Sequence, residues 1–169
     1  IASYSGVEPG VFLKKWLVLG PIPLSNSESS PEDTAQKKFF DSDSLAAAGG
    51  ETTVRATVGE SIKAGDAEHR WKFAESKDDV IDLTAHFGRR EFAVAYAYAE
   101  IEMPESASVL MGIGSDDGVK VWLNGTLVHN NWVGRPVEKD SDLVQMELRK
   151  GTNRLLLKVQ NARSDWGFV

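Results

Sequence analysis

Apolar and polar positions alternate with a period of two over much of this chain, most insistently in its second half. The longest run is Glu91 to Met103. There Phe92, Val94, Tyr96 and Tyr98 point one way, and Ala93, Ala95, Ala97, Ala99, Ile101 and Met103 point the other. Successive side chains of a strand face opposite sides of the sheet, so a run that is apolar on both sides predicts a central strand in a two-layer packing. Pro104 ends it, having no N–H for the ladder. Further strands are expected over Ser108 to Ile113, Val119 to Leu123, Thr126 to His129, Leu143 to Leu148 and Asn153 to Val159. Ser115 to Gly118 reads as a hairpin turn between the first two of these, with Gly118 supplying a positive φ. Asn124-Gly125 follows at once, and that dipeptide tolerates the two consecutive positive φ angles of a tight type I′ turn. Lys150-Gly151 marks a third turn. The central stretch therefore reads as a meander.

The first half is less regular. Lys15 to Gly20 predicts a short strand that stops before Pro21 and Pro23. Ser25, Asn26, Ser27, Ser29 and Ser30 supply loop chemistry, and Ser30-Pro31-Glu32 reads as an N-cap, a first-turn proline and a favourable acidic residue for a helix from Pro31 to about Phe39. A second helical turn is expected from Asp43 or Ser44 to Ala48, ended by Gly49-Gly50. Both look peripheral. Thr52 to Val58 is rich in β-branched residues, and His69 to Phe73 sets His69, Trp71 and Phe73 against Arg70 and Lys72, so both predict strands. Val80 to Leu83 and the stretch to Arg90 stay open between strand end and turn. Many short strands punctuated by turns predict an all-β fold, an antiparallel β-sandwich or jelly roll with one or two short peripheral helices. Residues 1–10, small and polar, read as a linker or N-terminal extension, and 11–169 as a single domain.

Composition narrows the functions. The chain has 169 residues, no cysteine and a formal net charge of -6. Disulfides and thiolate metal sites are thereby excluded. Basic residues cluster no further than pairs such as Lys14-Lys15 and Arg89-Arg90, which argues against a nucleic-acid-binding face. The apolar runs fall far short of a bilayer span, so no membrane span is expected. The histidines, His69, His86 and His129, sit in no nucleophile motif and at no metal-ligand spacing, and Gly112-Ile113-Gly114 lies before a hairpin, where a phosphate-cradling loop would precede a helix. The chemistry reads as non-catalytic.

Two stretches carry binding chemistry. Asp116 and Asp117 are adjacent carboxylates in a Gly-rich turn, the hard oxygen donors that calcium takes, with Asn124 and Asp140 or Asp142 as further donors; the alternative is an Asp-rich turn that bonds its own backbone. The loop His129-Asn130-Asn131-Trp132-Val133-Gly134-Arg135 combines an aromatic, two amides and a guanidinium. Trp132 can offer a flat face to a sugar ring, with His129, Asn130, Asn131 and Arg135 around it for hydroxyls. The alternative folds Trp132 onto the rim and pairs Arg135 with Glu138 or Asp140.

Taken together, Trp16-Leu17-Val18-Leu19-Gly20-Pro21, the run Gly114 to Gly125, and Lys150-Gly151-Thr152-Asn153-Arg154-Leu155-Leu156-Leu157-Lys158-Val159 with Trp166-Gly167-Phe168 resemble galactose-binding-like β-sandwich modules. Such modules accompany bacterial glycoside hydrolases and other exported proteins. The resemblance implies a carbohydrate-binding accessory module outside the cytoplasm, extracellular or periplasmic, with a polysaccharide or oligosaccharide ligand and neighbouring domains of a larger chain as partners. A structural or protein-interaction module of the same fold is the alternative. Ser115 to Leu123 is also similar to the calcium-dependent sugar-binding domains of the anthrax protective-antigen type, which implies calcium held by Asp116 and Asp117.

Overall fold

The computed structural model describes residues 2–24 and 33–169, so the loop expected over Ser25 to Ser30 and the cap at Ser30-Pro31-Glu32 lie outside the described residues. In chain order the elements are β1 (Ser3–Ser5), β2 (Lys15–Pro23), α1 (Asp33–Asp41), a 3-10 turn (Ala46–Ala48), β3 (Ser61–Ala64), β4 (Ala67–Arg70), β5 (Lys72–Glu75), β6 (Ile81–Asp82), α2 (Leu83–Phe87), β7 (Ala93–Met103), β8 (Ala107–Ile113), β9 (Ser115–Asp116), β10 (Val119–Leu123), β11 (Thr126–Asn131), β12 (Asp142–Leu148), β13 (Gly151–Asn161) and β14 (Gly167–Phe168). None of the described helices is long and apolar enough to cross a membrane.

The fold is an all-β sandwich. Its larger layer runs β11-β10-β13-β7-β2-β5, with β1 parallel to β7. The smaller layer combines β12-β8 with β6-β14-β9, joined where Gly114 and Val169 exchange two backbone hydrogen bonds of 2.9 Å. The expected central strand is β7, flanked by β13 and β2 and buried along nearly its whole length. Its inner face is small, with Ala95, Ala97 and Ala99, which lets the sheets approach closely. Trp16 meets Phe168 of the other layer edge-on, ring centroids 5.2 Å apart.

The outer face of the larger layer is also covered. Tyr96, Trp122, Leu156 and Lys158 lie there beneath the 33–58 segment, which drives Phe40 and Leu45 to full burial. Lys158 is 0% exposed; its ammonium donates to Ser42 O at 2.6 Å and Glu51 Oε1 at 2.9 Å. Tyr96 OH donates to the same carboxylate at 2.5 Å. Lys120 pairs with Asp41 at 2.8 Å, and both ammoniums lie over the Phe40 ring, at 5.0 and 5.7 Å from its centroid. Cations over an aromatic face are attracted by its quadrupole. The helices expected to be peripheral are thus part of the packing, because Phe40 buries two lysine stems along with itself.

Several expectations change. β2 does not stop at Gly20: it continues to Pro23 through a register shift between Leu19 and Ile22, so the prolines fall where the ladder is already interrupted. Thr52 to Val58 is no strand; it crosses the sheet, and Arg154 Nη1 donates to the Thr53 carbonyl at 3.1 Å. His69 to Phe73 splits at buried Trp71, with β4 in a hairpin with β3 and β5 in the larger layer. Ser3–Ser5, inside the stretch read as a linker, is strand β1. Trp122 is buried on the outer face of the larger layer. Val80 to Arg90 resolves into β6 and α2, capped by Asp82, whose carboxylate accepts from Ala85 N at 3.1 Å.

The meander is half right. Asn124 and Gly125 take φ of 51° and 84° and close the β10–β11 hairpin. Ser115 to Gly118, however, is a crossover between layers: β9 pairs with β14, while β10 pairs with β11 and β13. Gly118 has no positive φ. Space around it is tight, since a Cβ there would meet Asn131 O and Gln160 Oε1, each at 3.2 Å.

Candidate functional site

The crossover and the loop leaving β11 meet at one end of the sandwich. β10 and β11 fix the geometry, because Val119 stands opposite both Asn131 and Val159. Asp117 is buried at the junction. Its Oδ1 accepts Arg135 N at 2.9 Å and its Oδ2 accepts Ala162 N at 2.8 Å, while its own N–H donates to Gln160 O at 2.6 Å. The Asp116–Asp117 peptide bond is cis. Asp117 therefore ties the crossover to two other segments through its carboxylate, the kind of role an N–H-accepting aspartate fills at turns.

Asp142, the first residue of β12, is the second tie. It accepts from Arg135 Nη1 at 3.1 Å, Arg135 Nη2 at 2.6 Å and Asn131 Nδ2 at 3.0 Å, and its Oδ2 lies 3.0 Å from His129 Nε2. The Arg135 guanidinium also donates to Ser115 O at 3.2 Å and Ser115 Oγ at 3.1 Å. Hydrogen bonds from Arg135 hold the Asp142 carboxyl below the usual carboxylate range; burial opposes this, and His129 adds to it. Arg135 thus finds an acidic partner, but Asp142 takes the place expected for Glu138 or Asp140.

Trp132 leaves this knot and packs against Phe40 of α1, ring centroids 5.2 Å apart at 48°, with Nε1 donating to Asp33 Oδ2 at 3.4 Å. It is half-buried. Asn130 is exposed. Of the five side chains expected to touch a ligand, His129, Asn131 and Arg135 are drawn together by Asp142, Asn130 is exposed, and Trp132 is folded half-buried against Phe40 and the core, as in the alternative reading. Asp116 is half-buried, and burial, then the neighbouring charges of Asp117 and Asp165, push its carboxyl up to about 6.

The calcium donors do not assemble. Asn124 is at the opposite end of β10, bonded through Nδ2 to Asn153 at 2.9 Å and through Oδ1 to Arg154 N at 2.9 Å. Asp142 is saturated by Arg135, and Asp140 is exposed, over Gly112. Among the described residues no group of three or more Asp, Glu or His side chains is placed to hold a metal ion. Calcium takes about six or more oxygens, and the set here offers two carboxylates, one of them already bonded to two backbone N–H groups.

Asp142 and Ser115 were the residues that sequence reasoning passed over as loop anchors. The one available signal is Asp142 itself, an acidic residue at the entry to a strand whose other alternate positions, Val144, Met146 and Leu148, are apolar. No protein-family model matches this chain, and no curated protein matches it. The reading of its function therefore rests on the fold, the geometry of this rim and the motif resemblance.

Proposed function

We propose that this chain is a non-catalytic carbohydrate-binding accessory module of an exported bacterial polysaccharide-processing protein, of the galactose-binding-like type. The observation that carries the reading is the division of labour in the 129–135 loop. His129, Asn131 and Arg135 are locked from below by Asp142 and Asp117, so Trp132 and Asn130 are presented from a rigid base. Loops held by a scaffold are where binding residues concentrate. Trp132 offers apolar area to a sugar's C–H face, and the Asn130 amide offers both a donor and an acceptor to hydroxyls. In this reading Arg135, Asn131 and His129 are positioning residues.

Affinity electrophoresis against plant and algal polysaccharides, followed by titration calorimetry, tests it. Trp132→Ala is expected to weaken binding of a retained polysaccharide by roughly 1–3 kcal/mol. Because Trp132 also packs on Phe40, Asn130→Ala serves as the control: affinity falls while the thermal midpoint stays put. Unchanged affinity in both variants would remove the loop from consideration. A protein-interaction role is favoured by a different observation, the outward leucines of the β8–β12 pair, Leu110 and Leu143, each 61% exposed. Failure of every polysaccharide to retard the protein would leave that role as the stronger one.

A further inference from the structure

β8 has a partner along one edge only. In the registers of the described residues it pairs with β12 and with no other strand. Gly114 shows which way the second edge faces, because both of its backbone groups are bonded there to Val169. Backbone groups alternate in direction along an antiparallel strand. Gly112, Leu110 and Ser108 therefore turn their N–H and C=O groups toward the same side as Gly114, and no backbone hydrogen bond of the described residues takes them.

Beneath this edge lies a groove of about 850 Å³. Its floor is apolar, formed by Ile101, Leu155 and Leu157 of the larger layer, and residues 6–13 make the far wall. Val109 and Met111 point inward from β8 yet are only half-buried, and Val11 on the opposite wall is 61% exposed. The 6–13 segment does not close the gap by pairing: Gly6 N bonds to Glu102 O at 2.7 Å and Val11 N to Glu8 O at 3.2 Å. None of His129, Asn130, Trp132 or Arg135 lines the groove.

We propose that this edge accepts an extended segment of a partner polypeptide, running antiparallel to β8 and in line with β14. The Gly114–Val169 pair sets the register. Residues of the incoming strand opposite Gly112, Leu110 and Ser108 exchange backbone hydrogen bonds, and those opposite Ile113, Met111 and Val109 turn inward onto the apolar floor. The partner is thus a strand with apolar side chains at every second position. Main-chain pairing supplies affinity and the alternate pockets supply selectivity, as in other cases of strand addition. An apolar small molecule would fill the groove but leave the row of N–H and C=O groups unanswered, and such a row is itself a template for a strand.

The test uses an acetylated, amidated heptapeptide alternating valine with threonine, and the same peptide N-methylated at the residues whose N–H groups face β8. Amide hydrogen exchange followed by NMR is expected to show the N–H groups of Ser108, Leu110 and Gly112 slowed at least tenfold on adding the first peptide. The N-methylated peptide, with its valines unchanged, is expected to bind at least tenfold more weakly. Equal binding by both peptides would reduce the groove to an apolar pocket and overturn the proposal. So would protection of those three amides without peptide in a protein that sediments as a dimer, since the occupant would then be a second copy. Exchange at the three amides that does not respond to the peptide at saturation overturns it as well.

Discussion

Lys158 and Arg135 each anchor a segment, but in opposite surroundings: Lys158 holds the 33–58 segment on the larger layer, whereas Arg135 ties the loop leaving β11 to Ser115 and Asp142 of the smaller layer. Lys158 is sealed: its side chain is 0% exposed, its partner Glu51 is 10% exposed, and aromatic rings of Phe40 and Tyr96 flank the ammonium. Arg135 and Asp142 sit at the rim with side chains 16% and 13% exposed, and the carboxylate is shared with His129 and Asn131. The difference lies in what each network leaves over. The buried one closes on itself and holds the 33–58 segment down. The rim network also closes, but exposed Asn130 and half-buried Trp132 lie beside it, as does Asp116, whose neighbouring charges are those of Asp117 and Asp165.

The sharpest way to break the comparison is to open the sealed network. Glu51→Ala leaves the Lys158 ammonium buried without its counter-charge, and removing one partner of such a pair costs roughly 3–5 kcal/mol. Urea unfolding measures it, and the Lys158→Met, Glu51→Leu double variant is expected to recover most of the loss, because a packed apolar pair needs no compensation. A small loss in the single variant would mean that water reaches Lys158.

A smaller effect is expected at the rim. Asp142→Ala removes the acceptor of Arg135, Asn131 and His129 and is expected to cost roughly 2–3 kcal/mol, the range for hydrogen bonds to charged groups with partners left unmade. Its sign with pH follows from the lowered carboxyl of Asp142. The unfolded group titrates near the ordinary value of about 3.9, so the contribution is complete above that pH and is lost as pH falls through the lower folded value. The difference between wild type and variant should therefore begin to shrink as pH falls below about 4 and close only below the lowered folded value, which thermal melts in acid would show.

Asp116 predicts the opposite sign. Its folded carboxyl titrates at about 6, above the unfolded value, so the folded state is disfavoured progressively as pH rises from about 4 to 6. Asp116→Asn is expected to stabilise the protein at pH 7 by about 1 kcal/mol, allowing for solvent screening of a half-exposed group, and to do nothing at pH 4. Equal midpoints for wild type and variant at both pH values would show that Asp116 carries no electrostatic burden.

How far the sequence foretold these regions depends on the range of the forces at work. Local turn chemistry read correctly: Asn124-Gly125 closes its hairpin, and Gly151, after Lys150, takes the positive φ of its turn at 87°. The two-sided apolar run of β7 read correctly too, because burial on both faces leaves a mark at every position. Ser115 to Gly118 misled, since a Gly-flanked acidic turn looks the same whether the strands beside it pair with each other or with different sheets. Thr52 to Val58 misled for the opposite reason: its β-branched residues fit a strand locally, but the segment lies over a face of the larger layer, where Arg154 takes the Thr53 and Val54 carbonyls, and not along a free edge. The loop 129–135 was legible as a cluster of polar types. Which of them would be consumed internally was not, because Asp142 and Ser115 join it only through the packing of the two layers.

The placement of β7 has a consequence for how the chain reaches this state. Ala97 is bracketed by Val18 on one side and Leu157 on the other, so the middle strand cannot be completed by neighbours in sequence on either flank. Loop-closure entropy must be met twice before its inner alanines gain a facing layer. Sheets dominated by such distant pairings fold in roughly milliseconds to seconds. Among the described strands of this layer, the β10–β11 pair at Asn124-Gly125 is the one joined by a tight turn, while β13 and β7 pair across longer separations in sequence.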